Sequence, residues 1–127
     1  MSNKIQKILI VEDDPDLVET YTDLLEMHEY SVTSTGKALN AIALVTRLKP
    51  NIVLLDLNLA GQSGVVVLNM IRGYQPLKNT KVVVITGHPE MLKGKLDTSR
   101  VDLILSKPVA NQKLLEAIKQ FNSVVSS

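Results

Sequence analysis

Short runs of apolar residues recur along the chain, separated by longer stretches in which apolar residues are spaced three or four positions apart among polar ones. The runs at 7–11 (KILIV), 52–55 (IVLL) and 81–86 (KVVVIT) are rich in branched residues. Continuous runs of this kind are typical of parallel strands that are covered on both faces. Weaker patterns at 30–34 and 102–105 predict two further strands.

The stretches between these strands have the three- to four-residue spacing of helices with one buried face. Asp14-Pro15 is a favourable start for the first helix, because aspartate caps helix N-termini and proline suits the first turn. Its apolar positions are Leu17, Val18, Tyr21, Leu24 and Leu25. Further helices are predicted at 37–48, 64–72, 88–96 and 110–121.

Two of these helices are weakly marked. The run Val65-Val66-Val67 favours a strand locally, and only the alternation of elements favours a helix at 64–72. The stretch 88–96 is interrupted by Gly94. With both counted as helices, five strands alternate with five helices. This order predicts one α/β domain over residues 1–127, a doubly wound five-stranded parallel sheet with helices on both faces.

The composition excludes several classes of protein. Hydrophobic residues make up 45% of the 127 residues, enough for one core, but aromatic residues are only 3%. So few aromatic side chains argue against a stacking platform for single-stranded nucleic acid. The lack of cysteine excludes disulfides and thiolate metal sites. No apolar run is long enough to span a membrane and no signal-peptide pattern is present, so we expect a cytoplasmic protein.

Charge is distributed unevenly along the chain. Residues 1–60 carry 9 acidic and 5 basic side chains, whereas residues 61–127 carry 4 acidic and 9 basic ones. This asymmetry fits a cation site in the first half and a partner surface in the second. It also fits an acidic helix start beside ordinary solvated lysines, and charge alone does not separate the two interpretations.

Polar side chains collect at the carboxyl ends of the predicted strands, where open parallel sheets bind ligands. They are Glu12-Asp13-Asp14, Asp56, Thr86 and Lys107. Neighbouring carboxylates repel one another unless a cation joins them, and an all-oxygen ligand set suits a hard cation such as Mg²⁺. A lysine and a hydroxyl opposite the metal would suit a tetrahedral anion such as phosphate. Each residue alone has an ordinary structural role as a cap or turn former, but the four features together favour a functional site.

Four segments resemble the receiver domain of two-component response regulators. They are ILIVEDDPD (8–16), IVLLDLNLAGQSG (52–64), VVVITGH (82–88) and LILSKPV (103–109). The resemblance covers about residues 5–122, and the order and separation of the segments make it specific. It implies the flavodoxin-like (βα)5 fold with strand order 2-1-3-4-5. It also implies that residues 1–127 form a single receiver domain.

The resemblance implies a role for each residue that matches the family's motif. Asp56 matches the phosphoacceptor. Asp13 would bind Mg²⁺ (or Mn²⁺) directly, Glu12 through a water, and Asn58 through its backbone carbonyl, with Asp56 completing the site. Thr86 would hydrogen-bond the phosphoryl group and Lys107 would pair with its charge. The Lys107–Pro108 peptide bond is expected to be cis.

The resemblance further implies a signalling function. A phosphohistidine of a sensor histidine kinase or histidine phosphotransfer protein would donate the phosphoryl group, and phosphorylation would switch binding of a downstream protein. The domain would catalyse only its own phosphorylation and dephosphorylation, and so would not be a metabolic enzyme. No helix-turn-helix is present, so direct DNA binding is not expected.

Other functions stay open. The chain could be a stand-alone module or the receiver part of a larger regulator or hybrid kinase. A phosphatase with an aspartate nucleophile is a different class, but such enzymes usually carry a second acid where this chain has Asn58. A nucleotide-binding domain is disfavoured because neither glycine-rich phosphate motif occurs.

The chain departs from the usual family pattern at three places. Ala60 replaces a common proline, Ile104 stands where a tyrosine or phenylalanine is common, and 91–100 is a poor helix around Gly94. Ile104 puts the usual aromatic movement coupled to Thr86 in question. Residues 38–45 are almost all apolar, which fits either a deeply buried helix or an exposed contact that forms a weak homodimer.

Overall fold

The computed structural model describes residues 5–59, 62–92 and 97–125. Its helices and strands, in chain order, are β1 (Lys7–Val11), α1 (Pro15–Met27), β2 (Ser31–Thr35), α2 (Ala38–Leu48), β3 (Ile52–Leu55), β4 (Asn58–Leu59), β5 (Gln62–Ser63), α3 (Val65–Gly73), β6 (Lys81–Thr86), β7 (Leu103–Ser106) and α4 (Asn111–Val125). Short 3-10 helices lie at Gln75–Leu77, Pro89–Leu92 and Thr98–Arg100.

Five strands form one parallel sheet in the order β2-β1-β3-β6-β7. Counted along the five predicted strands this is 2-1-3-4-5, so the predicted fold and strand order are confirmed. The register pairs Val11 with Leu55 and Thr86 with Ser106. The residues that follow β1 and β3 therefore emerge side by side, and those at the ends of β6 and β7 do the same.

The core has two layers, one on each face of the sheet. Apolar side chains of α2 and α3 pack with Leu9, Val53 and Val84 on one face. Those of α1 and α4 pack with Ile10 and Leu54 on the other. The central strands are thus buried on both faces, as the continuous apolar runs predict.

The ambiguous segment at 64–72 is a helix, α3, as the alternation of elements predicts. Val67, Leu68 and Ile71 are its buried residues. Their spacing of one, three and four places them on one helical face. Burial of that face against the sheet outweighs the local strand preference of the three valines.

The helix predicted at 88–96 is wrong where the structure describes it. A 3-10 helix occupies Pro89–Leu92. The remainder of the prediction, 93–96 with Gly94, lies outside the described residues. Pro89 lacks a backbone N–H, and so short a segment offers too little apolar surface to offset the cost of nucleating an α-helix.

One small element was not predicted. Strands β4 and β5 form a two-stranded antiparallel sheet directly after β3, pairing Asn58 with Ser63. Two residues per strand are too few to produce a detectable alternation in the sequence. Ala60, which replaces the proline common in the family, lies outside the described residues.

Candidate functional site

Backbone hydrogen bonds fix the residues that follow β1 and β3. The amide of Glu12 donates to the carbonyl of Thr35 at 3.0 Å, and the amide of Asp56 donates to the carbonyl of Val11 at 2.9 Å. These bonds continue the ladders β1–β2 and β1–β3 by one residue. The side chains of Glu12 and Asp56 therefore project from the same edge of a rigid sheet.

Three carboxylates meet at this edge. Glu12, Asp13 and Asp56 each offer an oxygen, and these oxygens all lie within 4.8 Å of one another. Glu12 is 4% exposed and Asp56 is 5% exposed, whereas Asp13 is exposed. Two buried carboxylates beside a third are costly without a cation, and the all-oxygen set suits Mg²⁺ or Mn²⁺. The three predicted metal-binding carboxylates are thus brought together.

Lys107 lies between two of these carboxylates. Its Nζ is 2.8 Å from Oε1 of Glu12 and 3.2 Å from Oδ2 of Asp56. Burial alone would lower the pKa of Lys107, but the hydrogen bond to Glu12 and the charge of Asp56 together raise it above the usual value. Lys107 is therefore firmly cationic at neutral pH. The Lys107–Pro108 bond is cis, as predicted.

The Glu12 carboxyl is buried and hydrogen-bonded. Burial raises the pKa of the Glu12 carboxyl above its usual value, and the hydrogen bonds from Lys107 and from the Asp14 amide oppose this rise without cancelling it. The Asp14 amide reaches Oε2 of Glu12 at 3.1 Å. Both oxygens of Glu12 thus have a donor.

The Asp56 carboxylate is also held at both oxygens. The amide of Asn58 donates to Oδ1 at 2.9 Å, while Lys107 contacts Oδ2. Asn58 therefore approaches Asp56 through its backbone, two residues further on. The carboxylate is oriented by one backbone donor and one cation.

Gly64 is a site residue for which the sequence pattern indicates only the start of the predicted helix at 64–72. It caps α3, and its backbone approaches Asp56 and Leu57 so closely that a Cβ atom there would lie 2.8 Å from Cα of Leu57 and closer still to the carbonyl oxygen of Asp56. Its amide donates to the carbonyl of Leu57 at 3.0 Å. Only glycine fits this contact, and the contact holds the segment after Asp56 in place.

Thr86 ends β6 at the same edge of the sheet, between β3 and β7. It is 7% exposed, and its Oγ1 accepts a hydrogen bond from the amide of His88 at 3.1 Å. The hydroxyl proton of Thr86 is not used in that bond. Its neighbour in β7 is Ser106, which immediately precedes Lys107.

Three other residues near the strand ends have structural roles. Asp14 caps α1 by accepting the amide of Asp16 at 3.0 Å, as predicted. The side chain of His88 is exposed and lies 3.6 Å from Glu90. Ile104 is half-buried against the core layer of α2 and α3. It fills the position of the usual aromatic residue with an aliphatic one.

An open groove runs beside the carboxylates, between the N-terminal halves of α1 and α2. Its volume is about 1050 Å³, and its lining includes Asp13, Val18, Glu19, Asp23 and Leu39. Helix α1 carries acidic side chains on its exposed side and no lysine or arginine. The groove therefore combines acidic side chains of α1 with apolar ones, and Lys37 is the basic residue in its lining. Among the residues that the structure describes, no helix combines the length and apolar character needed to cross a membrane.

Comparison with known proteins identifies the family. The model of the response regulator receiver domain matches residues 8–119. The DNA-binding response regulator MtrA of Mycolicibacterium smegmatis is 34% identical over 105 residues, which are 83% of this chain and 41% of MtrA. The polar-differentiation response regulator DivK of Brucella anthropi is 26% identical over 119 residues, which are 91% of this chain and 95% of DivK.

A solved structure agrees with the fold. The CheY-like response regulator receiver domain protein of Methanospirillum hungatei JF-1 matches with a TM-score of 0.85 at 25% identity, covering 94% of this chain and 96% of that one. The chain spans less than half of MtrA and nearly all of DivK. The family model matches almost the whole chain, and both relatives are response regulators. The chain therefore belongs to the receiver domain family of two-component response regulators.

Proposed function

We propose that Asp56 accepts a phosphoryl group from a phosphohistidine of a sensor histidine kinase or a histidine phosphotransfer protein. The observation that carries this proposal is the placement of Asp56. Its carboxylate is nearly buried, is oriented by the Asn58 amide and Lys107, and lies within 4.8 Å of two further carboxylates. A nucleophile, a cation site and an ammonium group thus converge on one point.

The donor set fits a divalent cation. We assign it to Glu12, Asp13 and Asp56, with the backbone carbonyl of Asn58 as a further proposed ligand. The ion, Mg²⁺ or Mn²⁺, would neutralise charge on the transferring phosphoryl group. Asp13 is the exposed carboxylate of the three, so we expect an ion that enters from solvent to meet Asp13 first.

The protein's own residues position and stabilise the reacting groups. An Asp56 oxygen attacks phosphorus as the bond from phosphorus to the histidine nitrogen breaks. The electron pair of that bond stays on the imidazole, which takes a proton from solvent. Lys107 pairs with a phosphoryl oxygen, and the hydroxyl of Thr86 donates a hydrogen bond to another. The gain comes from positioning and charge, because phosphoryl transfer needs little other covalent chemistry.

The product is an acyl phosphate on Asp56, which water later cleaves. The domain thus turns over its own phosphoryl group and no free metabolite, so we propose that it is not an enzyme in the metabolic sense. We further propose that the side chains of Asn58 and His88, which follow Asp56 and Thr86 by two residues, affect access of water to the acyl phosphate.

The acidic groove beside α1 fits a phosphodonor protein with a basic surface. A downstream protein of unassigned identity would read the phosphorylated state, without direct DNA contact by this domain and without a membrane. We place this exchange in the cytoplasm, in agreement with a cysteine-free chain. The protein is proposed to be a monomer or a weak homodimer through α2, where Leu39 is 73% exposed.

The test is incubation with acetyl phosphate, with Mg²⁺ or with EDTA, followed by intact mass measurement. We expect one added phosphoryl group with Mg²⁺ and none with EDTA. Asp56→Asn should abolish the addition. Asp14→Asn is a matched control in the adjacent loop, since it keeps the α1 cap, and it should be phosphorylated normally. Addition that persists in Asp56→Asn, or that is absent despite demonstrated Mg²⁺ binding, would overturn the proposal.

A further inference from the structure

Two helices flank one edge of the sheet. Strand β2 is at that edge, and both α1 and α2 contact it. The two helices lie on opposite faces of the sheet, because α2 packs in one core layer and α1 in the other. Strand β2 therefore has a different helix beside it on each face.

Helix α1 has a negatively charged outer surface. It contains four acidic residues and no lysine or arginine. All four are exposed, and their spacing of three or four residues places them on one side of the helix. They are Asp16, Glu19, Asp23 and Glu26.

Helix α2, with the residue that caps each of its ends, has the opposite charge. Residues 37–49 include three basic side chains and no acidic one. Lys37 caps the N-terminus, Arg47 lies in the last turn and Lys49 caps the C-terminus. All three are exposed.

These charges are not used within the described part of the chain. None of the seven side chains takes part in the ion pairs that form between described residues. Two separate surfaces of single sign attract a partner whose charges are complementary, and like charges there repel one that is not. The β2 edge therefore presents a negative surface on one face of the sheet and a positive surface on the other.

Apolar groups lie within the same two surfaces. Met27 on α1 is 75% exposed and Leu39 on α2 is 73% exposed, more than any other large apolar side chain in the described residues. Strand β2 between them reads SVTST, without the proline or charged residues that commonly protect a sheet edge. Exposed apolar side chains with a charged rim are typical of a surface that binds a protein.

A two-fold axis parallel to the strands makes this edge complementary to itself. Rotation about such an axis exchanges the two faces of the sheet, so α1 of one copy lies beside α2 of the other. Val11 pairs with Thr35, and Asp23 and Arg47 follow these two residues by the same twelve positions. Asp23 of one copy is therefore level with Arg47 of the other. An axis perpendicular to the sheet would instead place the acidic α1 beside itself.

We propose that a second copy of this chain covers the β2 edge about an axis parallel to the strands, with α1 of each copy beside α2 of the other. The interface is isologous, so every contact occurs twice. This inference rests on the proposed homodimer through α2 and does not depend on phosphorylation of Asp56. The dimer covers the groove that we propose for the phosphodonor protein, so the dimer and that donor exclude one another.

Charge reversal tests this pairing of helices. Sedimentation velocity at rising protein concentration compares the full chain of wild type with Asp23→Lys and Arg47→Glu. Each reversal brings like charges together at two symmetric places and should weaken dimerisation about tenfold. An equimolar mixture of the two variants should dimerise like wild type, because both opposite-charge pairs form again with their signs exchanged. Wild type should dimerise less in about 1 M salt than in about 0.1 M salt.

The matched control is Glu116→Lys, which makes the same change of charge at an exposed position of α4 and should dimerise like wild type. A wild type that stays monomeric, an Asp23→Lys variant that dimerises normally, or a mixture no stronger than its separate components would overturn the inference. Acetyl phosphate treatment of the same samples reports on Asp56 separately. Absence of labelling there would overturn the proposed phosphorylation and leave the dimer intact.

Discussion

Replacement of Gly64 by alanine tests how tightly the start of α3 holds the phosphoacceptor. Gly64 has φ −67° and ψ −15°, a conformation that alanine adopts freely, so any effect must come from contacts. A Cβ atom would lie 2.8 Å from Cα of Leu57, whereas ordinary contacts begin at 3.4 Å. The neighbour is backbone rather than the end of a flexible side chain, so the start of α3 and the segment after Asp56 must move apart.

The magnitude follows from two opposing effects. Overpacking of this kind typically costs about 1–3 kcal/mol, and a backbone neighbour places it near the upper end. Alanine also restricts the unfolded chain, which returns about 0.4–1 kcal/mol. We expect a net loss of about 2 kcal/mol in the free energy of unfolding, or roughly 6 °C in melting temperature.

The control for this variant lies in the same helix. Gly73 ends α3, and a Cβ atom there would meet nothing within 4 Å. Gly73→Ala should therefore leave stability unchanged or raise it by up to about 1 kcal/mol. Urea unfolding of both variants and wild type measures the difference. If Gly64→Ala unfolds at the same urea concentration as wild type, the close approach described here does not constrain the site.

Three further predictions concern the ion pair, the far end of the sheet and α2. Lys107→Ala should lose about 1–2 kcal/mol of stability without Mg²⁺, less than a fully buried pair because 23% of the lysine side chain is exposed. Because the pKa of Lys107 is raised, its contribution to the free energy of unfolding should be complete below its usual pKa of 10.5 and should vanish as the pH rises through the raised pKa. A difference in stability between wild type and Lys107→Ala that persists in strong alkali would contradict the assignment. Arg72 donates hydrogen bonds to the carbonyls of Thr80 and Arg100 and pairs with Asp102 at 2.8 Å. Arg72→Met should therefore lower the free energy of unfolding by about 2 kcal/mol and leave phosphorylation intact. Urea unfolding unchanged from wild type would refute this prediction. Leu39→Gln should abolish any concentration-dependent association in sedimentation velocity, and a wild type that stays monomeric at high concentration would exclude the dimer.

Much of the fold could be predicted because the central strands are buried on both faces. Residues 7–11 and 52–55 must be apolar throughout, so the sequence carries their position directly. The segment 88–92 carries no such pattern, since His88 and Glu90 are exposed, and the helix predicted there was wrong. The hairpin of β4 and β5 is too short to leave a period.

The site residues also divide into those that the sequence indicates and those that only the structure reveals. Glu12, Asp56 and Lys107 could be predicted because charged residues directly after buried strands are conspicuous in the sequence. The role of Gly64 could not. Gly64 acts through a close backbone approach to Asp56 and Leu57. That contact depends on three-dimensional proximity that no local pattern encodes.

The most direct test of the central claim locates the phosphoryl group on the chain. After incubation with acetyl phosphate and Mg²⁺, borohydride reduction converts an acyl phosphate on aspartate to homoserine, and tandem mass spectrometry of peptides identifies the residue changed. We predict homoserine at Asp56 alone, and none in a sample kept with EDTA. Homoserine at Asp13 or Asp14 instead, or a phosphorylated protein with Asp56 unchanged, would contradict the account.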